Sequence, residues 1–267
     1  MADQTEPHQL VIVGGGNMGA ALAGGLLSAG SIEPQALAIC EAIATRRAEV
    51  EAMFPGVTVT EDAAPGAAAV IAVKPGDVAA AVSAAVAAGA RRVLSIAAGV
   101  RLERIEAAAG PDIAVVRAMP NTPALVRQGA SAIAGGRYAD DDDLAWAEEI
   151  LGAVGTVDRV DESQLDAVTA LSGSGPAYLF LVAEALIEAA VGIGLDRQLA
   201  ERLTTQLLVG SAALLDASGD PATLRANVTS PGGTTAAGLA VLDERNVREA
   251  FAAAVRAAAS RSAELAV

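Results

Sequence analysis

The sequence predicts an α/β fold in which a doubly wound parallel sheet is followed by an all-helical region. Three observations lead to this prediction. An apolar run at residues 10–13 breaks directly into glycines, strand-like and helix-like segments alternate up to about residue 160, and the strand signals then stop. Such alternation is typical of parallel sheets with helices on both faces. We therefore expect one domain over residues 1–160 and a second, helical domain over residues 161–267.

The first strand leads into a glycine pattern that predicts dinucleotide binding. Gly14, Gly16 and Gly19 have the G-x-G-x-x-G spacing, and a helical stretch at 17–29 follows. Gly14 allows a tight turn, Gly16 lets the backbone approach a pyrophosphate, and Gly19 lets the helix lie close to the strand. The helix N-terminus also favours phosphate oxygens. The alternative is a glycine-rich turn without a ligand.

The other elements of the first domain follow in order. Strands are predicted at 37–40, 57–59, 69–73, 92–96, 113–116, 129–134 and 154–158, and helices at 43–53, 76–89, 101–109 and 140–151. Ligands of such sheets bind at the carboxyl ends of the strands. The segments VKPGD, IAAGV and MPNTP, which follow three of these strands, are therefore expected at one edge.

Helical patterns fill the second region, at 162–171, 176–193, 196–217, 220–227, 233–243 and 246–264. Residues 176–191 are apolar around much of the helix circumference, which favours a subunit interface; the alternative is a helix inside the core. Pro176 suits a first helical turn, and we expect Ser174 or Gly175 to cap it.

Composition excludes several classes of function. The net charge of −14 argues against nucleic acid or an anionic membrane surface as a partner. The N-terminus has no signal-peptide pattern, and no run of about 20 apolar residues lacks a charge, so we expect a cytoplasmic protein without a transmembrane helix. The single cysteine, Cys40, is expected to be a buried, inert thiol. No metal site is predicted, since the run at 140–143 is best explained as a solvated helix start.

Two scarce residue types bear on the chemistry. The only histidine, His8, lies in a polar N-terminal tail that we expect to be loosely ordered, which argues against imidazole catalysis. Lys74 is the only lysine beside 17 arginines, and it stands between a strand-like run and Pro75. It is either an ammonium group near the cofactor or a chance residue on a surface loop.

A second glycine-rich turn lies in the helical region, in NVTSPGGTTAAGL at 227–239. Its glycines expose consecutive N–H groups before a helix, whose dipole favours an anion such as a carboxylate. The hydroxyls of Ser230, Thr234 and Thr235 add donors without adding charge. The alternative is an ordinary loop with an N-cap.

Five segments occur in an order that resembles the pyrroline-5-carboxylate reductase family: GGGNMG, VKPGD, VRAMPNTPALVRQGAS, LDAVTALSGSGPAY and NVTSPGGTTAAGL. The resemblance spans residues 9–263. It implies a Rossmann domain, a helical dimerisation domain, active sites built across a homodimer, and dimers that assemble into rings. The implied activity is reduction of 1-pyrroline-5-carboxylate to L-proline, the last step of proline biosynthesis, with NADPH or NADH.

The resemblance also implies roles for individual residues. The pyrophosphate would be held by Gly14, Gly16, Asn17, Met18 and Gly19, and the cofactor lined by Ala72, Val73, Lys74 and Pro75, with Ala97 and Asn121 near the nicotinamide. The substrate would be held by Asn227, Ser230, Gly232, Gly233, Thr234 and Thr235. Thr235 would hydrogen-bond the ring nitrogen and act in catalysis, and Asp161 or Glu162 would correspond to an acidic residue beside the substrate.

Coenzyme preference stays open in the sequence. Glu41 lies 22 residues after Gly19, where an acidic residue accepts from the ribose 2′-hydroxyl of NADH. Arg46 and Arg47 follow closely and could instead meet the 2′-phosphate of NADPH. Two other functions remain as alternatives: a β-hydroxyacid dehydrogenase-like enzyme, which would need a lysine in the helical half, and a noncatalytic dinucleotide-binding dimer.

Overall fold

A computed structural model describes residues 7–265 and contains an eight-stranded sheet in the order β3-β2-β1-β4-β5-β6-β7-β8. All eight predicted strands are confirmed. Their bounds are β1 Leu10–Val13, β2 Leu37–Cys40, β3 Thr58–Thr60, β4 Ala68–Ile71, β5 Arg92–Ser95, β6 Ala114–Met119, β7 Gly129–Gly135 and β8 Gly155–Arg159.

The first six strands are parallel, but the last two run in the opposite direction. β7 pairs antiparallel with β6, and β8 pairs parallel with β7. The connection from β6 to β7 covers residues 120–128 and holds only a 3₁₀ turn at Thr122–Val126. A parallel return needs a crossover of a dozen or more residues. The prediction of a wholly parallel sheet is therefore wrong at this edge.

Side chains alternate between two apolar cores, one on each face of the sheet. Ile12, Val70 and Leu94 belong to the first core, while Val11, Ile71 and Val93 belong to the second. The first face is covered by α1 (Asn17–Ala29), α2 (Ala44–Met53) and α5 (Asp141–Gly152), and the second by α3 (Val78–Ala87), α4 (Leu102–Ala109) and α6 (Leu165–Val168). This confirms the doubly wound architecture, which predicts a ligand crevice where strand order reverses between β1 and β4.

The remaining helices are α7 Gly175–Gly192, α8 Arg197–Ser218, α9 Pro221–Asn227, α10 Thr234–Glu244 and α11 Val247–Leu265. They confirm the all-helical character of the second region. Two short 3₁₀ turns, Pro34–Ala36 and Pro75–Asp77, were not predicted from the sequence.

The predicted cap before Pro176 is wrong. Glu162–Gly192 is one continuous helical run with a π-turn at Thr169–Gly173. The Ser174 N–H donates to the Thr169 carbonyl at 2.8 Å, so the helix continues where a new start was expected. Close packing is nevertheless present, because a Cβ on Gly173 would lie 2.5 Å from Met119 Cε.

Backbone contacts divide the chain into two compact units, and they do so later than the predicted boundary at 160/161. The first unit comprises the chain up to Ser174 and again from Ala258 onwards, and the second is Gly175–Ala257. Residues 161–174 join the first unit because Leu165 is buried in its core. The C-terminal turns join it through Ser262, whose Oγ donates to Asp166 Oδ1 at 2.7 Å.

The second unit exposes many large apolar side chains within the single chain, among them Phe180 and Leu181 on α7, and Leu203 and Leu207 on α8. The helical run Glu162–Gly192 is also long and apolar enough to cross a membrane, and none of its most apolar window is buried. By length and composition, this run departs from the expectation that no helix could cross a membrane.

Candidate active site

The crevice at the reversal of strand order is formed by backbone from β1 and β4. Gly14 follows β1 with φ +110°, and its N–H donates to the Cys40 carbonyl at 2.8 Å. Ala72 follows β4, and its N–H donates to the Val13 carbonyl at 2.8 Å. A Cβ on Gly14 would lie 2.5 Å from the Ala72 oxygen and 3.2 Å from Val73 Cγ1. Only glycine combines this φ with this close approach.

Gly16 and Gly19 occupy contrasting environments at the start of α1. Gly16 is the N-cap residue, it offers no side-chain cap, and a Cβ there would meet nothing within 4 Å. A Cβ on Gly19 would lie 2.0 Å from the Gly14 oxygen. The exposed Asn17 and half-buried Met18 form the first turn. The helix therefore begins with uncapped N–H groups beside open space, an arrangement that fits a pyrophosphate.

Glu41 lies at the end of β2 and is tied to the glycine turn. Its Oε2 accepts from the Gly15 N–H at 3.0 Å, and its Oε1 accepts from the Ile43 N–H at 2.9 Å. The side chain of Arg46 continues this network, since its Nε donates to the Gly15 carbonyl at 2.8 Å. Gly15 was missed as a site residue, although its place as the middle glycine of GGG was an available signal.

The segment after β4 reaches the same edge of the sheet. Val73 is half-buried, whereas Lys74 and Pro75 are exposed, and the 3₁₀ turn Pro75–Asp77 starts there. Within the part of the chain that the structure describes, Lys74 has no ion-pair partner at salt-bridge distance. Ala97, after β5, is buried. Contact of these residues with a cofactor stays a prediction.

Asn121 is held on both sides of its amide. Its Oδ1 accepts from the Ala130 N–H at 2.9 Å, and its Nδ2 donates to the Ser172 carbonyl at 3.1 Å. The side chain thus joins the loop after β6 to β7 and to the π-turn. One N–H of Nδ2 and one lone pair of Oδ1 are not used by these bonds, and contact of Asn121 with the nicotinamide stays a prediction.

The second unit contains the other candidate site, at the start of α10. Gly232 has φ +71°, and Gly233 is the N-cap residue without a side-chain hydrogen bond. The Gly233 N–H donates to the Ser230 carbonyl at 3.1 Å, and a Cβ on Gly233 would lie 2.4 Å from Ser230 Oγ. The predicted substrate residues lie in one stretch in which Gly233 is half-buried and the others are exposed: Asn227, Ser230, Gly232, Thr234 and Thr235.

The two acidic candidates at 161 and 162 differ in surroundings. Asp161 is exposed. Glu162 accepts through Oε1 from Arg117 Nη1 at 2.8 Å and from the Leu102 N–H at 2.7 Å. Because the Arg117 side chain is only 6% exposed, this ion pair is part of the fold of the first unit. Arg117 was not identified from the sequence, where nothing distinguishes it from the other arginines.

The only histidine and the only cysteine of the sequence both lie in the first unit. His8 forms a bridge with Gly66 before β1, and its Nδ1 lies 3.2 Å from the Gln35 carbonyl, so the prediction of a loosely ordered position is wrong. Cys40 is buried, as predicted. Desolvation by burial raises the pKa of its thiol, which disfavours the reactive thiolate. Among residues 7–265 no group of three or more His, Cys, Asp or Glu side chains could hold a metal ion.

The doubly wound sheet and its glycine turn define the class: a Rossmann-type oxidoreductase that uses NAD(P)H. Two family models agree with this assignment. Residues 9–99 match the model "NADP oxidoreductase coenzyme F420-dependent", and residues 162–265 match "Pyrroline-5-carboxylate reductase dimerisation". The second region is therefore a dimerisation domain.

Relatives of known name match nearly the whole chain. Pyrroline-5-carboxylate reductases of Synechocystis and Mycobacterium tuberculosis are 44% and 43% identical to it, each over 96% of this chain and over 98% and 96% of their own. The structure of the enzyme from Coxiella burnetii has a TM-score of 0.90 at 36% identity, covering 98% of this chain and all of its own. The chain belongs to the pyrroline-5-carboxylate reductase family.

A further solved structure bears on the cofactor. Plasmodium falciparum pyrroline carboxylate reductase with NADP bound has a TM-score of 0.84 at 29% identity, over 98% of this chain and all of its own. The cradle around Gly14, Gly16 and Gly19 fits such a dinucleotide, since the start of α1 has no side-chain cap and a Cβ on Gly16 would meet nothing within 4 Å.

Proposed function

We propose that this protein reduces 1-pyrroline-5-carboxylate to L-proline with NAD(P)H, as the last step of proline biosynthesis. The proposal is carried by one observation in a chain of this family: the glycine turn before α10 leaves the helix N-terminus without a side-chain cap, and the same segment carries the hydroxyl groups of Ser230, Thr234 and Thr235. That segment suits a small carboxylic acid, because it combines N–H donors with a favourable helix dipole and its sequence from 227 to 239 contains no acidic residue.

The residues of this turn have two tasks, binding of the substrate carboxylate and proton transfer to the ring nitrogen. The N–H groups that open α10, with the hydroxyls of Ser230 and Thr234, bind the substrate carboxylate, while Asn227 borders the site. The hydroxyl of Thr235 hydrogen-bonds the ring nitrogen and passes a proton to it together with water. The reduced nicotinamide supplies the hydride to the carbon of the C=N bond. The residues orient and polarise the imine, and no histidine is needed.

The cofactor-facing residues act in the first domain. The turn at 14–19 holds the pyrophosphate, and Ala72, Val73, Lys74 and Pro75 line the dinucleotide on the side of β4. Ala97 lies near the nicotinamide half, where Asn121 fixes the adjacent loop through its bonds to Ala130 and Ser172. In this assignment residues 1–160 bind the cofactor and residues 161–267 bind the substrate and the partner subunit.

We also infer a homodimer, with each active site built from both subunits and with dimers able to form rings. The support is the match to a dimerisation model together with the exposed apolar side chains of α7 and α8. The apolar run Glu162–Gly192 lies within that match, which favours a subunit interface over a membrane span. We further infer that the protein is cytoplasmic. The net charge of −14 argues against nucleic acid as a partner.

A steady-state assay with pyrroline-5-carboxylate and each coenzyme tests this function. We expect substrate-dependent oxidation of NADH or NADPH. Tight coenzyme binding without turnover would support the noncatalytic dimer instead. The dehydrogenase alternative is disfavoured by the sequence, which has no lysine after Lys74.

A further inference from the structure

We propose that Glu41 makes this protein select NADH over NADPH. The inference deepens the proposed function, and it rests on the dinucleotide site of that function rather than on the imine substrate. It concerns the end of β2, where this fold recognises the ribose of the adenosine half.

The position of Glu41 is fixed by the sheet. β2 pairs with β1 from Leu10↔Leu37 to Val13↔Cys40, so Glu41 follows its strand at the same level as Gly14 follows β1. The carboxylate therefore stands beside the glycine turn that holds the pyrophosphate. In this fold an acidic residue at this place accepts from the ribose 2′-hydroxyl.

The carboxylate is also held in place by the backbone. One oxygen accepts from the Gly15 N–H at 3.0 Å and the other accepts from the Ile43 N–H at 2.9 Å. Each carboxylate oxygen has a second lone pair that stays available to a hydroxyl donor. Because both bonds hold the carboxylate in this orientation, Glu41 cannot turn away from a 2′-phosphate without losing them.

The two arginines that would bind a 2′-phosphate are already engaged. Arg46 donates from Nε to the Gly15 carbonyl and from Nη1 to Glu49, at 2.8 and 2.7 Å. Arg47 donates from Nη1 to the Glu41 carbonyl at 2.7 Å, and from Nη2 to Glu61 at 3.0 Å. Each guanidinium thus has a carboxylate partner, and among residues 7–265 no ion pair involves the Glu41 carboxylate.

These contacts give opposite outcomes for the two coenzymes. The 2′-hydroxyl of NADH can donate to Glu41, whereas the anionic 2′-phosphate of NADPH meets a fixed negative charge. A phosphate would have to share Arg46 or Arg47 with the carboxylate that the guanidinium already contacts, Glu49 or Glu61. Repulsion from Glu41 and this sharing of the arginine charge both weaken NADPH binding relative to NADH binding.

The test is isothermal titration calorimetry, which measures the Kd of the full-length protein for NADH and for NADPH in the absence of imine substrate. We expect the Kd for NADH to be lower than the Kd for NADPH by about tenfold or more, the scale of one close charge pair at a protein surface. Equal binding, or tighter binding of NADPH, would overturn the inference while leaving the proposed reductase activity intact.

The variant Glu41→Gln removes the charge and keeps the side-chain shape. It should lower the ratio of the Kd for NADPH to the Kd for NADH by about tenfold, mainly through tighter NADPH binding. Glu51→Gln is the matched control, since Glu51 is exposed on the neighbouring α2 and the change in net charge is the same. An unchanged ratio in Glu41→Gln would contradict the inference. Failure of the wild-type protein to bind either coenzyme would overturn the proposed function together with it.

Discussion

Gly16 and Gly19 show how one residue type serves two different physical needs within four positions. At Gly19 a side chain is excluded by the protein, because its Cβ would lie 2.0 Å from a backbone oxygen. At Gly16 the protein leaves the space open, and φ is −64°, which every residue adopts. Gly19 is needed for packing of the helix on the strand, whereas Gly16 is needed only if a ligand approaches.

Alanine substitutions separate these two needs. Gly19→Ala should lower the free energy of unfolding by about 2 kcal/mol, as expected for overpacking. Gly16→Ala should cost less than about 1 kcal/mol as an N-cap change, yet it should weaken coenzyme binding at least tenfold because the methyl group enters the pyrophosphate space. Urea unfolding and calorimetric titration measure the two effects. Coenzyme affinity unaffected by Gly16→Ala would argue against a pyrophosphate at this turn.

Thr235 is the residue on which proton transfer depends. Thr235→Ala should lower kcat by about ten- to a hundredfold, because a positioned proton-transfer group contributes on this scale. Thr235→Ser keeps the hydroxyl and should retain most of the rate. If kcat for the alanine variant equals that of the wild type in steady-state assays, Thr235 has no catalytic role.

The sequence predicts residue types at a site better than it predicts their partners. Gly14, Gly16 and Gly19 could be assigned because their spacing reflects backbone geometry alone. The bonds of Glu41 to Gly15 and Ile43, and those of Asn121 to Ala130 and Ser172, could not be predicted. They depend on where a side chain lies after folding, and several donors were equally available in the sequence.

At the scale of elements, a single ion pair joins three segments that are distant in the chain. Glu162 begins the long helical run, Arg117 lies on β6, and Leu102 opens α4. The Glu162 carboxylate thus satisfies a free N–H at the start of α4 and neutralises a buried guanidinium. This arrangement anchors the first turn of residues 162–192 to the sheet.

Removing this charge should destabilise the first unit. Glu162→Gln should lower the free energy of unfolding by about 1.5 kcal/mol, the lower range for hydrogen bonds to charged groups, because Glu162 is partly exposed. Asp158→Asn on the exposed surface of β8 is the matched control and should change stability by less than about 0.5 kcal/mol. Similar unfolding midpoints for the two variants would show that the ion pair contributes little.

The elements also show where periodicity is a sufficient guide and where it fails. Strand and helix positions follow from local patterns, so β1 to β8 and the helices of the second region were predicted well. The direction of β7 depends on the length of the connection after β6, which the pattern does not report. The π-turn at Thr169–Gly173 adds a residue to the helix. The glycines of LSGSGPAY resemble the end of a helix, although the helix continues through them.

At the scale of the molecule, the exposed apolar surface of the second unit needs a partner. Phe180→Glu should prevent dimer formation, because it places a charge at an apolar position of α7 where Phe180 is 63% exposed in the single chain. Val126→Glu in the first unit, at a residue that is 70% exposed, should leave the dimer intact. Analytical ultracentrifugation measures both. A dimer of unchanged stability in Phe180→Glu would place the interface elsewhere.

The most direct test of the central claim is the stoichiometry of the reaction. Purified protein is mixed with pyrroline-5-carboxylate and a limiting amount of NADH or NADPH, and the proline formed is compared with the coenzyme oxidised. The account predicts one proline for each coenzyme oxidised, with no oxidation when the imine is omitted. Coenzyme that binds but stays reduced in the presence of the imine would contradict it.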